Sequence, residues 1–324
     1  MQFTAVGHTI AKLAYSTLFT IHSLMSNGTN YIGRFAPSPT GPLHFGSLVT
    51  AVASFLEAKS NTGQWLLRME DLDKPREMPG AADDILRTLD TFGFSWDGEV
   101  IYQSSRNEAY KEALYEMQQK KFVYPCTCSR KEIAESAFDI GFEGRIYPKT
   151  CLNNAPKPDI HAAFRVITSN QEISFVDKVQ DYFSQNIASE IGDFVVRRAD
   201  GFFAYQLAVV VDDDFQGVSH IVRGSDLLDS TPRQIYLQQL LKFLTPVYTH
   251  VPIAVNTIGE KLSKQTLAEP ISLHLAGQQL FAALCFLGQN PPLEMQNATL
   301  GEVWRWGFAN WSLAKVPRVH SIKT

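Results

Sequence analysis

Two widely separated segments carry residues suited to phosphate chemistry. In "GRFAPSPTGPLHFGSL", residues 33 to 48, prolines and glycines surround His44 just ahead of an apolar run with helical character. Gly46 lets a flat base approach the backbone. The start of the following helix offers unpaired N–H groups and a positive dipole end to phosphate. His44 would stand where charge develops on that phosphate. In "GEKLSKQ", residues 259 to 265, Lys261 and Lys264 flank Ser263 on a loop opened by a glycine. Such a loop can close over a triphosphate and set Lys264 against the oxygens of a departing pyrophosphate. Each segment alone also has an ordinary reading, as a turn before a helix and as a solvated lysine pair.

A second chemistry is suggested by sulfur. Three of the four cysteines cluster as Cys126-Thr127-Cys128 and Cys151, with Tyr147 between them. In a reducing compartment such spacing suggests a metal before a disulfide. Three thiolates and a phenol would supply the four tetrahedral ligands of structural zinc. Tyrosine is an unusual ligand because its phenol titrates near pH 10, but a bound cation lowers that value. His161 is an alternative fourth ligand, and three buried cysteines acting as small apolar residues is the bland reading. Cys285, in "LCFLG", reads as core. Asp212 to Asp214 read as a solvated turn after a buried segment rather than as a magnesium site.

These groups need elements to position them. "YIGRFAP" reads as a short strand, "HFGSLVTAVASFLEAKSNTG" as a helix closed by Gly63, and "QWLLRME" as a second strand. Strand, helix, strand is a βαβ unit, so a parallel sheet is expected with its ligand at the carboxyl ends of the strands. Residues 81 to 92 and 105 to 121 have helical periodicity. "YQLAVVV" is helix or strand by run length alone, and "STPRQIYLQQLLKFL" is a helix with proline in its first turn. The stretch from Phe122 to about Glu190 changes character, with "NNAPKP" and alternating segments such as "HAAFRVI" and "EISFVD", and reads as an insertion. The remainder reads as mostly helical, with a basic tail.

Composition bounds the answer. The chain has 324 residues, 45% of them hydrophobic and 19% charged, with a formal net charge of -4; with no low-complexity tract and no internal repeat, neither a disordered nor a solenoid reading is favoured. A local basic face can still bind RNA on an acidic protein, but Lys120, Lys121, Arg197, Arg198 and Lys315 are scattered and define no RNA surface. No run reaches the roughly 20 apolar residues of a membrane span. The first 30 residues hold an apolar run interrupted by His8, Lys12 and His22, with no small-residue cleavage site after it. They read as an extension outside the fold, with Met25 as an alternative start and a weak secretory signal as the lesser alternative.

Together and in this order, the two phosphate segments resemble the paired HIGH and KMSKS signatures of class I aminoacyl-tRNA synthetases. "GRFAPSPTGPLHFGS", "RMEDLD", "DGFFAYQLAVVVDD", "VRGSDLL" and "KLSKQ" resemble the glutamyl-tRNA synthetase group over about residues 31 to 270. Within it the best match is the short paralogue family that attaches glutamate to queuosine in tRNA(Asp). A full glutamyl-tRNA synthetase carries a long C-terminal anticodon-binding region, whereas this sequence stops at 324. Ser47 stands where the first signature has its second histidine, and Leu262 replaces the methionine of the second.

The resemblance implies an α/β fold: a Rossmann-like parallel sheet with a zinc-bearing insertion and a mostly helical C-terminal region. The divisions expected are an N-terminal extension (1–30), two catalytic halves (31–121 and 191–245), the insertion (122–190), and the KLSKQ loop with a helical stem-contact-like region (246–324). It implies a glutamate pocket made by Arg34, Phe35, Ala36, Pro37, Ser38, Glu70, Tyr205 and Arg223. Guanidinium suits the substrate's side-chain carboxylate and Glu70 its ammonium. ATP would meet His44, Gly46, Ser47, Lys261, Ser263 and Lys264, with His44 and Lys264 catalytic. One structural Zn2+ on Cys126, Cys128, Tyr147 and Cys151 and Mg2+ with ATP are the implied ions. L-glutamate, ATP and queuosine-bearing tRNA(Asp) are the implied partners of a cytoplasmic monomer that needs no membrane. The alternatives are a truncated enzyme charging the 3' end of tRNA(Glu), a small-molecule nucleotidyl transferase, and a non-catalytic RNA-binding relative.

Overall fold

The computed structural model describes residues 31–137, 140–141, 144–154, 156–157, 161–261 and 269–324. The extension 1–30 and Leu262, Ser263 and Lys264 lie outside the described residues. The first half is built as its apolar pattern requires. Strand β1 (Ile32–Phe35) leads through the proline-rich loop into helix α1 (Phe45–Ser60), which returns to β2 (Gln64–Met69), parallel to β1. Nearly all of α1 is small and apolar, and it is buried from Leu48 to Ala58 apart from Thr50 and Glu57. Gly63 closes the turn: a Cβ there would lie 2.4 Å from the carbonyl oxygen of Tyr31, so only glycine fits. Helix α2 (Ala81–Thr91) carries the chain to β3 (Ile101–Tyr102), which extends the sheet in the order β1-β2-β3. Helix α3 (Asn107–Gln119) ends this half.

The insertion is antiparallel. Strand β4 (Val123–Cys126) precedes helix α4 (Arg130–Ser136), a short hairpin of β5 (Ile140–Gly141) and β6 (Gly144–Arg145), and helix α5 (Thr150–Asn153). Strand β7 (Ala163–Val166) lies between β4 and β10 (Val195–Arg197), so this sheet runs a few residues past Glu190. Between them β8 (Glu172–Asp177) and β9 (Asp181–Asn186) form a hairpin.

The segment "YQLAVVV" is helical: α6 spans Tyr205–Phe215. Strand β11 (His220–Gly224) then lies beside β1, and the Ser219 N–H just before it donates to Ile32 O at 3.0 Å. Helix α7 (Thr231–Leu241), with proline in its first turn, leads to β12 (Val247–Val251), parallel to β11. Two parallel sheets, β1-β2-β3 before the insertion and β11-β12 after it, thus come side by side, with α1 packed against β1, β2 and β11.

The C-terminal region is less purely helical than its composition suggests. Helices α8 (Ala276–Phe286) and α9 (Leu300–Asn310) pack on α1, and Trp304 Nε1 ties α9 to Phe92 O at 2.7 Å. However, β13 (Ile253–Val255) takes up the basic tail as a parallel strand, β14 (Ser321–Lys323). Cys285 also departs from expectation: it is exposed, because it lies on the outer side of α8 while Leu284 and Phe286 are buried.

Candidate active site

A cavity of about 640 Å³ opens at the carboxyl ends of β1, β2 and β11. Residues read from three distant segments line it together: Arg34 to Ser38 at and beyond the end of β1, Glu70 after β2, and Tyr205 and Arg223 from the second half. His44, Gly46 and Ser47, at the start of α1, and Lys261 line the same space. His44 is the residue immediately before the helix, with an extended backbone and no side-chain cap bond. Its Nε2 lies 3.2 Å from Ser47 Oγ. Lys261 Nζ meets Asp226 Oδ2 at 2.5 Å.

The floor of the cavity is a buried charge network. Arg68, fully buried in β2, donates to Asp213 Oδ1 at 2.7 Å, and Arg34 Nε reaches the same oxygen at 3.2 Å. Arg68 also approaches Glu70 Oε1 at 3.8 Å. Next to it, Asp212 accepts from Arg106 Nε at 2.5 Å, Tyr110 OH at 2.7 Å and Gln103 Nε2 at 2.9 Å. Asp212 and Asp213 are therefore not a solvated turn. They belong to the inward side of α6, held there by arginines more than a hundred residues away. Buried carboxylates are tolerated when paired in this way.

Glu70 is poised differently. Burial raises its carboxyl to about 7, even though Arg68 and Arg34 pull it down. Arg223 is buried and makes only uncharged contacts. Its Nε donates to His250 Nε2 at 2.9 Å, Nη1 to Gln234 Oε1 at 2.8 Å, and Nη2 to Thr231 Oγ1 at 2.8 Å. Among the described residues no carboxylate lies within 4 Å of it. The Tyr205 hydroxyl stands 3.5 Å from Arg223 Nη1.

The sulfur cluster sits at the end of β4. Cys126, Cys128 and Cys151 bring their Sγ atoms within 4.8 Å of one another. The Tyr147 hydroxyl is 3.3 Å from Cys126 Sγ and 3.4 Å from Cys128 Sγ. Tetrahedral ligation with metal–sulfur bonds of about 2.3 Å separates sulfurs by roughly 3.8 Å, so these donors fit a metal with small adjustments. Burial and its bonds to the cysteines hold the phenol protonated, well above its ordinary range; a bound cation would reverse that. His161 is exposed and outside this cluster.

Arg68 and His250 are not singled out in the sequence, and Asp213 reads there as part of a solvated turn. Arg68 carried a signal, a charged residue at an inward position of the apolar strand "QWLLRM". His250 in "VYTHVPIAV" carried the same one.

The cavity at the loop before α1, the parallel strands on either side of the insertion and the insertion itself together describe a class I synthetase, and residues 32–280 match the family model "tRNA synthetases class I (E and Q), catalytic domain". The chain belongs to that family. Its branch is that of the Glutamyl-Q tRNA(Asp) synthetases. It is 55% identical to the protein of that name from Aromatoleum aromaticum, over 89% of this chain and 91% of the relative. It is 54% identical to that of Dechloromonas aromatica, over 89% and 96%, and 51% identical to that of Neisseria meningitidis serogroup C, over 91% and 99%. Among solved structures, the glutamate-tRNA synthetase of Elizabethkingia anophelis has the same fold, with a TM-score of 0.72 at 23% identity, covering 91% of this chain and 68% of that one. No helix among the described residues is long and apolar enough to cross a membrane.

Proposed function

We propose that this chain activates L-glutamate with ATP and transfers the glutamyl group to queuosine at the wobble position of tRNA(Asp). The observation that carries the reading is Arg223: a buried guanidinium with no carboxylate partner among the described residues, lining the cavity that Glu70 also lines. A buried unpaired charge is costly, and a substrate carboxylate relieves that cost. The substrate's side-chain carboxylate meets Arg223, with Arg34 and the Tyr205 hydroxyl beside it, and its ammonium meets Glu70. The names of the relatives supply the acceptor.

In the first step the α-carboxylate of glutamate attacks the α-phosphorus of ATP. The bond to the bridging oxygen breaks and pyrophosphate leaves with the electron pair. His44 and the start of α1 stabilise the developing charge, with Lys264 from the downstream loop. Magnesium arrives with ATP, bound mainly through its phosphates. A hydroxyl of the queuosine cyclopentene ring then attacks the glutamyl carbonyl and AMP departs. Cys126, Cys128, Tyr147 and Cys151 hold one structural zinc that stiffens the insertion. The enzyme works as a cytoplasmic monomer.

The test is glutamate-dependent exchange of labelled pyrophosphate into ATP, followed by transfer of labelled glutamate to queuosine-bearing tRNA(Asp). Both activities are expected. Exchange with an amino acid other than glutamate, or no exchange at all, overturns the reading.

A further inference from the structure

Behind the cavity lies a buried chain of three side chains, Asp177, His250 and Arg223, that leads from the insertion to the amino-acid pocket. Arg223 and His250 are paired neighbours on the parallel strands β11 and β12. Asp177 ends β8 and comes from the insertion hairpin. His250 and Asp177 are both fully enclosed.

The hydrogen bonds fix which nitrogen of His250 carries the proton. Asp177 Oδ1 accepts from the backbone N–H groups of Val179, Gln180 and His250, at 3.0, 2.9 and 3.0 Å. Its Oδ2 lies 2.6 Å from His250 Nδ1. A carboxylate with that many donors is ionised, and its own pKa is indeed lowered, with burial opposing and the bonds from His250 prevailing. Nδ1 therefore donates, and neutral imidazole then presents its lone pair at Nε2. That is where Arg223 Nε points, at 2.9 Å. An arginine has no acceptor to offer, so the opposite tautomer would set N–H against N–H. With Nη2 held by Thr231 and Leu227 O, the guanidinium keeps its Nη1 end toward Tyr205 and the cavity.

We propose that His250 is a positioning residue for glutamate binding, aiming Arg223 through its Nε2 lone pair, and that Asp177 sets the tautomer this requires. The inference rests on Arg223 binding the substrate carboxylate, as read above.

Asp177→Asn separates this role from simple packing. The three backbone donors keep the asparagine oxygen, so its NH2 faces His250 Nδ1 and forces the proton to Nε2, against Arg223. Glutamate KM in pyrophosphate exchange is expected to rise about tenfold or more, the scale of one charge-assisted hydrogen bond, with ATP KM little changed. The double variant Asp177→Asn/His250→Gln restores an acceptor for Arg223 and is expected to recover part of the loss. Imidazole 15N spectra, with the His250 signal assigned by its loss in His250→Gln, are expected to show bare Nε2 in the native protein and protonated Nε2 in Asp177→Asn.

A native Nε2–H overturns the proposal, and this readout stands even if Asp177→Asn fails to fold. So does a flipped tautomer with unchanged glutamate KM. If Arg223→Gln also leaves glutamate KM unchanged, the reading of the pocket itself fails; if Arg223→Gln raises it while Asp177→Asn does not, only the relay fails.

Discussion

Arg68 donates to Asp213 across 2.7 Å, and both side chains are sealed from solvent beneath the cavity. The same carboxylate also receives Arg34. Asp213→Ala strands two buried guanidiniums, and breaking a buried pair in this way costs about 3–5 kcal/mol. Denaturant unfolding is expected to register that loss, while Asp213→Asn, which keeps an acceptor, loses less.

Glutamate binding should depend on pH through Glu70. An ammonium needs the ionised carboxylate, and burial raises Glu70 to about 7. Glutamate KM is therefore expected to climb as pH falls through 7 and to level off above it. For folding the sign is opposite: a raised carboxyl pKa favours the native state when protonated, and this contribution fades as pH rises from about 4.5 toward 7. Glu70→Gln should flatten the KM profile at a weak-binding level, which steady-state exchange assays between pH 6 and 9 would read.

His44→Ala is expected to lower kcat for pyrophosphate exchange by about a hundredfold, the usual loss when one donor to developing charge is removed. Glutamate KM should hardly move, because the proposed mechanism sets His44 against the phosphates rather than the amino acid. A rise in glutamate KM with unchanged kcat would assign it to the wrong substrate.

Metal analysis of the purified protein is expected to give one zinc per chain, lost in Cys128→Ser. Stripping the metal should lower the thermal midpoint and increase hydrogen exchange in β4 and β7 while leaving β1 and β2 protected.

What the sequence made legible was local. "YIGRFAP", the helix from His44 and "QWLLRME" announced β1, α1 and β2 because their patterns and the turn at Gly63 are written in adjacent residues. The pocket residues were legible only through resemblance, since Glu70, Tyr205 and Arg223 meet Arg34 from separate strands and helices. The buried floor was not legible. Asp212 and Asp213 look like a polar end to an apolar run until Arg68 and Arg106, remote in sequence, are brought against them. Strand β14 was hidden for the same reason: a three-residue strand has no periodicity to detect, and its partner β13 lies more than sixty residues back.

The most direct measurement is transfer of labelled glutamate, with ATP, to three RNAs: tRNA(Asp) bearing queuosine, the same tRNA lacking it, and tRNA(Glu). Label confined to the queuosine-bearing tRNA(Asp) is the expected result. Label on tRNA(Glu), or equal label on tRNA(Asp) without queuosine, would contradict an acceptor in the anticodon.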